Sequence, residues 1–477
     1  MTKFYVTTPI YYINDVPHVG HAYSTIAADV LARYYRRKLG PDNVFFLTGT
    51  DENSKKTVVA AEEAGLDVRE YTDTTAEKWR QIWQTLGISH DRFIRTTEAD
   101  HARAVAEVIT KIHQAGDIVE GEYEGKYCFK CEAFYRDEEL DEGKCSIHKT
   151  ECESIKEKNY FFRLSRYGDK IKKHIEDNPG FIEPVARRNE VLAFIDRGLE
   201  DISISREGQS WGVRVPFDEG QAVYVWFDAL VNYLTGVGYP DKKYEKFWPA
   251  DVHIIGKDII KFHCVIWPAM LLSAGIELPR QVFAHGFFTI DGEKVSKSLG
   301  NAVDPLEIVQ RYGNDALRYY LLREITFGSD GDFSHERFDA VYHSDLGNDL
   351  GNLVQRVASM LERYNDGKYE QGSVASIKGV TEQIESLAFD RALELVFARV
   401  REQNLYLEQQ QPWTLAKTDQ AGAVKVLSQV AAELIQIAEH LEPFLPDTAA
   451  KIRQTFASGK VDKSVGILFP RIEADQE

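Results

Sequence analysis

The sequence has few of the features that mark secreted or membrane-embedded proteins. Its 477 residues include only five cysteines and 13 histidines. It contains no run of 18 apolar residues, and its N-terminus lacks the basic segment and apolar stretch of a signal peptide. We therefore expect a cytoplasmic protein that does not span a membrane. Cysteines in that compartment stay reduced, so metal binding explains a cysteine cluster better than disulfides do.

An excess of basic residues is also lacking. The chain has 75 acidic and 57 basic residues, for a net charge of −18. This balance excludes a protein whose whole surface binds nucleic acid, although a local basic stripe can still bind a polyanion. Hydrophobic content of 43% and charged content of 28% are ordinary for a globular protein, and the length predicts about three domains.

Two of the few histidines, His18 and His21, stand three apart where a strand gives way to a helix. The stretch "KFYVTTPIYY" has a β-rich composition, and apolar positions from Tyr23 to Tyr34 follow the spacing of a helix packed on one face. A helix N-terminus offers unbonded N–H groups and partial positive charge, and Gly20 lets a ligand approach the backbone. The pair suits a phosphate, and a helix cap beside a core histidine explains it equally well.

Four of the five cysteines fall in "YCFKCEAFYRDEELDEGKCSIHKTECE". Cys128 and Cys131 form one short pair, and Cys145 and His148 form another after thirteen intervening residues. Two such knuckles bring three thiolates and an imidazole into a closed tetrahedron, so we predict one structural Zn²⁺ that contributes on the order of 10 kcal/mol to folding. A chance set of reduced cysteines is the alternative. Cys152 breaks the knuckle spacing and is left out of the predicted site.

Two acidic residues follow apolar strands. "VFFLTGTDENSKK" carries Asp51 past one strand, and "DVHIIGKDIIKFH" carries Asp258 past another. Carboxylates at the carboxyl ends of parallel strands can accept hydrogen bonds from a ribose, whereas Asp258 alone fits a helix N-cap just as well. Together they predict a nucleotide crevice.

A basic loop lies further along the chain, in "TIDGEKVSKSLGN". It holds Lys294 and Lys297 ahead of the helical stretch "YGNDALRYYLL". Lysines in a polar loop are usually only solvated. A basic loop anchored by a helix can also close over a triphosphate and offset the charge that develops as pyrophosphate departs.

From about residue 344 the sequence is helical, rich in Ala, Leu, Glu and Gln. Asn348, Asn352 and Arg356 follow i, i+4, i+8 spacing, which predicts that they share one helix face. Trp413 follows a proline and offers a rigid ring on which a base can stack. From these residues alone, ordinary core and surface roles are the better interpretation.

The chain resembles the methionyl-tRNA synthetase family of class I aminoacyl-tRNA synthetases. "PHVGH" and "KVSKS" are similar to the two signature motifs of the class. The segments similar to the family, in its order, are "TPIYYINDVPHVGHAY", "LTGTDE", "NYFFRLS", "SISR", "VYVWFDALVNYL", "GKDIIKFHCVIWPAML", "HGFFTIDGEKVSKSLGN" and "FGSDGDFS". The family usually has His-Gly where this chain has Asn53 and Ser54.

The resemblance implies an α/β fold in which a Rossmann-like parallel-sheet catalytic domain is split by a zinc-binding insertion and followed by an all-α anticodon-binding helix bundle. It implies activation of methionine by ATP, with Mg²⁺, to methionyl-adenylate, and transfer to the 3′ end of tRNA(Met). Amides, a guanidinium and a Pro-Trp pair recur in the family's anticodon-binding helices, so the resemblance favours base reading by Asn348, Asn352, Arg356 and Trp413.

The resemblance also assigns residues to the two substrates. For ATP it implies His18, His21, Asp258, His285, Lys294 and Lys297, with the two histidines and two lysines catalytic. For methionine it implies Ile10, Tyr12, Asp51, Trp226, Tyr233 and His263. Aromatic faces suit a polarizable thioether, and a carboxylate suits an α-ammonium group.

The expected domains are two catalytic halves, 1–113 and 226–285, around an insertion at 114–225, then a lysine-loop region at 286–343 and an anticodon-binding bundle at 344–477. The sequence ends soon after that bundle, so we expect a monomer. The valyl, isoleucyl and leucyl synthetases are the nearest alternatives, but they carry a large editing insertion. A catalytically inactive tRNA-binding paralogue and a small-molecule nucleotidyltransferase are the others.

Overall fold

The computed structural model describes residues 2–14, 16–128, 133–135, 140–141, 143–145, 149–290, 292–294, 303–462, 464 and 466–472. The strands are β1 (Phe4–Tyr12), β2 (Val44–Asp51), β3 (Arg92–Arg95), β4 (Ile118–Cys128), β5 (Ala133–Tyr135), β6 (Leu140–Asp141), β7 (Lys144–Cys145), β8 (Glu153–Phe162), β9 (Ile182–Glu183), β10 (Ile202–Ser203), β11 (Ser205–Glu207), β12 (Arg214–Val215), β13 (Asp218–Val223), β14 (Val252–Gly256), β15 (Val282–His285), β16 (Phe288–Ile290), β17 (Glu293–Lys294) and β18 (Gly331–Phe333).

The α-helices are α1 (Val19–Leu39), α2 (Lys55–Glu63), α3 (Val68–Thr85), α4 (Ala99–Gln114), α5 (Gly168–Asp177), α6 (Val185–Asp196), α7 (Val225–Ala229), α8 (Asn232–Gly236), α9 (Trp267–Ala274), α10 (Pro305–Tyr312), α11 (Asn314–Arg323), α12 (His335–Val341), α13 (Asn352–Asn365), α14 (Val380–Glu385), α15 (Phe389–Gln410), α16 (Pro412–Leu415), α17 (Gln420–Leu441) and α18 (Pro446–Phe456). Two π-helical stretches, Phe262–Ile266 and Tyr342–Gly351, lead into α9 and α13.

Two compact units divide the chain. The sheet unit comprises Met1–Pro17, Leu39–Gln84 and Ser89–His285, and the helical unit comprises His18–Lys38, Thr85–Ile88 and Gly286–Glu477.

A six-stranded sheet organises the sheet unit. Its order is β3-β2-β1-β14-β15-β9, and every neighbouring pair is parallel. From β1 the strand order continues through β2 to β3 on one side of the sheet, and from β14 it continues to β15 on the other side. The direction of the strand order therefore reverses between β1 and β14, and ligands of doubly wound sheets bind at such a point. The Rossmann-like sheet predicted from the sequence is confirmed. Its edge strand β9 comes from the segment predicted as the insertion.

Burial explains why the central strands are apolar. Val252, Ile254 and Ile255 of β14 are buried, as are Tyr5 and Val6 of β1, because both faces of a parallel sheet are covered. Smaller sheets, β10-β8-β4-β5 and β11-β13-β12, come from residues between the two halves of the main sheet.

The helical unit is held together by a buried ion pair. Arg318 of α11 and Asp29 of α1 are fully buried, with Nη2 and Oδ2 2.8 Å apart. Arg318 Nε also donates to the carbonyl of Phe444 at 2.6 Å. Breaking such a pair costs about 3–5 kcal/mol, so it fixes the helix that begins at the two histidines against the bundle.

Helix α17 is the one described helix long and apolar enough to cross a membrane, with a mean hydropathy of 1.3. It packs against α13, α15 and α18, and 61% of its most apolar 18-residue stretch is buried in the protein. Core helices pass the same test, so this helix is weak evidence for a membrane span.

The stretch that carries Asn348, Asn352 and Arg356 is helical throughout, but its winding changes within it. Asn348 lies in the π-helical stretch Tyr342–Gly351, and the α-helix α13 begins at Asn352. Both asparagines are exposed, and Arg356 is half-buried. That the three side chains share one helix face stays a prediction.

Candidate active site

A small cavity lies at the carboxyl ends of the central strands. Its volume is about 20 Å³, room for about one water molecule. Five of the six residues predicted for methionine line it: Ile10, Asp51, Trp226, Tyr233 and His263. The sixth, Tyr12, stands opposite Asp51 in the β1–β2 register, with its ring edge-on to Trp226 at 6.1 Å.

His263 is held as a neutral acceptor on the cavity wall. Its Nδ1 lies 2.9 Å from the carbonyl of Ile259, which can only accept, so Nδ1 carries the ring proton. Its Nε2 lies 2.7 Å from the Tyr233 hydroxyl oxygen and accepts a hydrogen bond from that hydroxyl. Burial lowers the pKa of His263 to about 4, in keeping with a neutral ring. The wall therefore presents polar atoms without a positive charge.

Aromatic stacking fixes the other side of the cavity. The Trp226 ring stacks on Phe262 with 3.9 Å between centroids and 13° between planes. Asp51, the last residue of β2, is only 2% exposed. An apolar aromatic surface beside one buried carboxylate can bind a small ligand with an apolar polarizable end and a cationic end.

The two signature histidines lie at the start of α1, in the helical unit. Their rings stack with 3.8 Å between centroids. His18 Nδ1 accepts from the N–H of Gly20 at 3.0 Å, and His21 Nδ1 accepts from the N–H of His18 at 3.2 Å. Because both Nδ1 atoms accept, each neutral ring carries its proton on Nε2 and can donate to a phosphate oxygen.

Gly20 is required by the His18 ring. A Cβ at position 20 would lie 2.9 Å from His18 Cε1, closer than real Cβ contacts. The glycine predicted to admit a ligand therefore also makes room for the histidine that would bind it.

Asp258 and His285, the other residues implied for ATP, converge in the sheet unit. Gly256 pairs with His285 in the β14–β15 register, and Asp258 follows two residues later. A Cβ on Gly256 would lie 2.6 Å from Asp258 Oδ1 and 4.0 Å from His285 Cε1. Asp258 lies inside the 3₁₀ turn Lys257–Ile259, whose N-cap is Gly256, so Asp258 is not the cap. Lys294 ends β17, and Lys297 lies outside the described residues.

The cysteine cluster is partly described. Cys128 and Cys145 are fully buried and pack together with Cys152, the residue left out of the predicted metal site. Cys131 and His148 lie outside the described residues. Among the side chains that are described, no group of three or more His, Cys, Asp or Glu is arranged to hold a metal ion.

Within the helical unit, an arginine lies over the predicted stacking ring. Arg356 lies 5.4 Å from the centroid of Trp413 and forms an ion pair with Glu408 at 2.7 Å. Trp413 is half-buried, whereas Pro412, which starts α16, is buried. The ring is thus not a core residue.

Comparison with known proteins identifies the family. The family model described as tRNA synthetases class I (M) matches residues 4–145 and 136–358, and the anticodon binding domain of methionyl tRNA ligase matches 367–465. The methionine–tRNA ligase of Caldanaerobacter subterraneus subsp. tengcongensis is 44% identical over 99% of this chain and 80% of its own length. This chain belongs to the methionyl-tRNA synthetase family.

Other members of the family are similarly close. The methionine–tRNA ligase of Rickettsia felis is 41% identical over 99% of both chains. The structure of Mycobacterium tuberculosis methionyl-tRNA synthetase in complex with methionyl-adenylate superposes with a TM-score of 0.90, at 42% identity over 95% of this chain and 94% of that one. The class I fold and the helical anticodon domain follow from these likenesses.

Residue-by-residue resemblance to methionyl-tRNA synthetases missed part of the cavity wall. Asn232 lines the cavity while 1% exposed, and its Oδ1 has no hydrogen-bond partner among the described residues. Its position beside Tyr233 in "VNYL" was the available signal. Ser54, one of the two departures from the family, accepts from the N–H of Thr57 at 3.1 Å and caps α2.

Proposed function

We propose that the chain activates methionine with ATP and transfers it to tRNA(Met). The methionine carboxylate attacks the α-phosphorus of magnesium-bound ATP, which gives methionyl-adenylate and releases pyrophosphate. A hydroxyl of the terminal ribose then attacks the adenylate carbonyl carbon, and AMP leaves. No residue forms a covalent bond to substrate, because positioning and charge stabilisation supply the catalysis.

The observation that carries this proposal is the cavity wall. Asp51 would bind the α-ammonium group, and Trp226 with Tyr12 would pack on the thioether. Tyr233 and His263 are both neutral, so they would contact the thioether sulfur without placing a charge beside it that the substrate cannot neutralise.

For ATP we propose the residues of the two signatures. His18 and His21 would donate Nε2–H to phosphate oxygens, and Lys294 and Lys297 would neutralise the departing pyrophosphate. His285 and Asp258 would bind the nucleoside portion, since they meet at the ends of β14 and β15.

We propose that the anticodon binds the surface that carries Asn348, Asn352, Arg356 and Trp413. The exposed amides of Asn348 and Asn352 can hydrogen-bond to base edges, and Trp413 with Arg356 offers a stacking surface. Unpaired bases need such unsatisfied polar groups and open aromatic faces.

The domain boundaries at 113, 225, 285 and 343 remain proposals, as do cytoplasmic location, absence of membrane binding and a monomeric state. Support for the boundaries comes from the main sheet, which takes five of its strands from 4–95 and 252–285.

One structural Zn²⁺ is also proposed, held by Cys128, Cys131, Cys145 and His148. Knuckle spacing and the joint burial of Cys128 and Cys145 support it. Elemental analysis of the purified protein should find one zinc per chain, and Cys145→Ser should lose both metal and local folding. Full activity in a preparation free of zinc would contradict the proposal.

The deciding experiment is amino-acid-dependent exchange of pyrophosphate into ATP across all twenty amino acids. Methionine should be the strongest stimulant, and charging should be specific for tRNA(Met). Exchange stimulated by valine or isoleucine but not by methionine would overturn the assignment. Binding of tRNA(Met) with neither exchange nor charging would instead favour the inactive paralogue.

A further inference from the structure

A buried cluster behind the cavity joins Asn53, Asp228 and His101. All three side chains are at most 3% exposed. Asn53 Nδ2 lies 2.6 Å from Asp228 Oδ2, and His101 Nε2 lies 2.6 Å from Asp228 Oδ1. Both oxygens of one buried carboxylate are therefore hydrogen-bonded, each to a different partner.

Each member of this cluster belongs to a different element. Asn53 follows Asp51, the cavity-lining end of β2, by two residues. Asp228 lies in α7, two residues after the cavity-lining Trp226. His101 lies in the first turn of α4. The carboxylate thus connects the strand end and the helix that each supply a residue to the cavity wall.

The Asn53 amide is tied down on a second side as well. The same Nδ2 lies 2.9 Å from the carbonyl of Thr96, beyond the end of the neighbouring strand β3. Both protons of the amide are therefore used, one on the β3 loop and one on α7. An amide with both donors engaged holds its loop in one place relative to both partners.

Glu52 secures the same loop from the other direction. It accepts from Arg95 Nε at 2.7 Å and from Thr50 Oγ1 at 2.7 Å, while its carbonyl accepts from Trp211 Nε1 at 2.8 Å. Asp51 is thus flanked by anchored residues, and of these Asn53 alone bonds to the helix that carries Trp226.

We infer that Asn53 and Asp228 are positioning residues that set the distance between the Asp51 carboxylate and the Trp226 ring, and so set the affinity for methionine. The inference rests on the proposed methionine site. Loss of the Asn53 amide leaves one oxygen of a buried charge without a donor, and α7 then shifts or admits water. The wall of the methionine cavity would become less ordered, although no atom that takes part in the reaction is changed.

Asn53→Asp is the sharpest variant, because it keeps the size of the side chain and replaces both donors with acceptors. The KM for methionine in pyrophosphate exchange should rise roughly ten- to 100-fold, with kcat and the KM for ATP changed less than about threefold. Uniform loss of substrate binding produces that pattern, whereas loss of a transition-state contact would lower kcat.

The reversed pair Asn53→Asp with Asp228→Asn tests the hydrogen bond itself. In the double variant the amide at position 228 can accept from His101 and donate to the carboxylate at position 53, while that carboxylate and the Thr96 carbonyl, both acceptors, no longer form a bond. The double variant should recover most of the methionine KM that each single variant loses, a non-additivity expected of groups in direct contact.

Ser54→Ala is the matched control. Ser54 is buried and adjacent to Asn53, and its hydroxyl caps α2 but forms no bond to α7 among the described residues. Its loss should therefore lower the melting temperature with little change in the methionine KM. If Asn53→Asp lowers the melting temperature and leaves the methionine KM unchanged, Asn53 only supports the fold and the inference is wrong. If the unaltered chain shows no methionine-dependent exchange, the proposed function itself fails.

Discussion

The proposed methionine cavity and the proposed anticodon surface, which carries Asn348, Asn352, Arg356 and Trp413, differ in how exposed their polar and aromatic groups are. Asp51, Asn232, Tyr233 and His263 of the cavity are buried, and the Tyr233 hydroxyl donates to His263. On the proposed anticodon surface, Asn348 and Asn352 are exposed, and Trp413 is half-buried beside Arg356. A site for one small molecule gains selectivity from a few fixed polar groups set among apolar walls. A site for bases needs open edges that the partner completes.

The largest expected difference between the two regions follows from Asp51→Asn. Removing the buried partner of an ammonium group costs about 3–5 kcal/mol, so kcat/KM for methionine in exchange should fall on the order of 100- to 5,000-fold. Asp117→Asn, at a buried carboxylate bonded to Tyr167 and Ser273, should lower stability with little change in the methionine KM. Equal losses of activity in both variants would contradict the assigned role of Asp51.

The next effect concerns the pH dependence of stability. Burial holds the pKa of His263 at about 4, below the ordinary value of 6.5, so the unfolded chain binds more protons between these values and stability falls as pH falls from about 6.5 to 4. His263→Gln should reduce that loss by about 3 kcal/mol in urea titrations at pH 7 and pH 4. Burial also lowers the pKa of His253 well below its usual value, and this residue contributes to the pH dependence of stability in both proteins. An unchanged pH dependence would show that His263 is charged in the fold.

On the proposed anticodon surface, Trp413→Ala should lower the efficiency of tRNA charging roughly five- to 150-fold, because stacking of a base on an aromatic ring is worth about 1–3 kcal/mol. Pyrophosphate exchange should hardly change. Tyr406→Ala removes another half-buried ring of the bundle and serves as the control. A drop of stability typical of a core cavity, with charging and exchange falling together, would mean that Trp413 supports the fold.

The smallest effect should come from Tyr233→Phe. It leaves Nε2 of His263 without a donor, which should lower the free energy of unfolding by about 1–2 kcal/mol and raise the methionine KM about fivefold. Tyr5→Phe is the matched control, since it loses the hydroxyl bond to the Tyr233 carbonyl at 2.7 Å. Its methionine KM should stay near that of the unaltered protein. Equal KM values in the two variants would remove Tyr233 from the recognition of sulfur.

The cavity was more predictable than the cluster behind it. Ile10, Asp51, Trp226, Tyr233 and His263 were assigned by resemblance, and the structure brings all five to one cavity. The role inferred for Asn53 had no such signal, because it depends on α7 and β3, which are distant in sequence. Cys152 was set aside on spacing and nevertheless packs with Cys128 and Cys145.

By itself, the sequence determined the local elements. Apolar periodicity from Tyr23 to Tyr34 predicted the helix that is observed as α1, and β-rich composition predicted β1. These follow from short-range sterics and from which face must be buried, both of which act over a few residues. Asp51 and Asp258 were placed correctly at strand ends for the same reason.

Only the tertiary structure decided what those elements do to each other. The neutral state of His263 and the Asn53–Asp228–His101 cluster depend on partners that local pattern does not encode. Protonation and orientation of a buried side chain are set by the nearest donors and acceptors, and the fold brings these together from residues far apart in the chain.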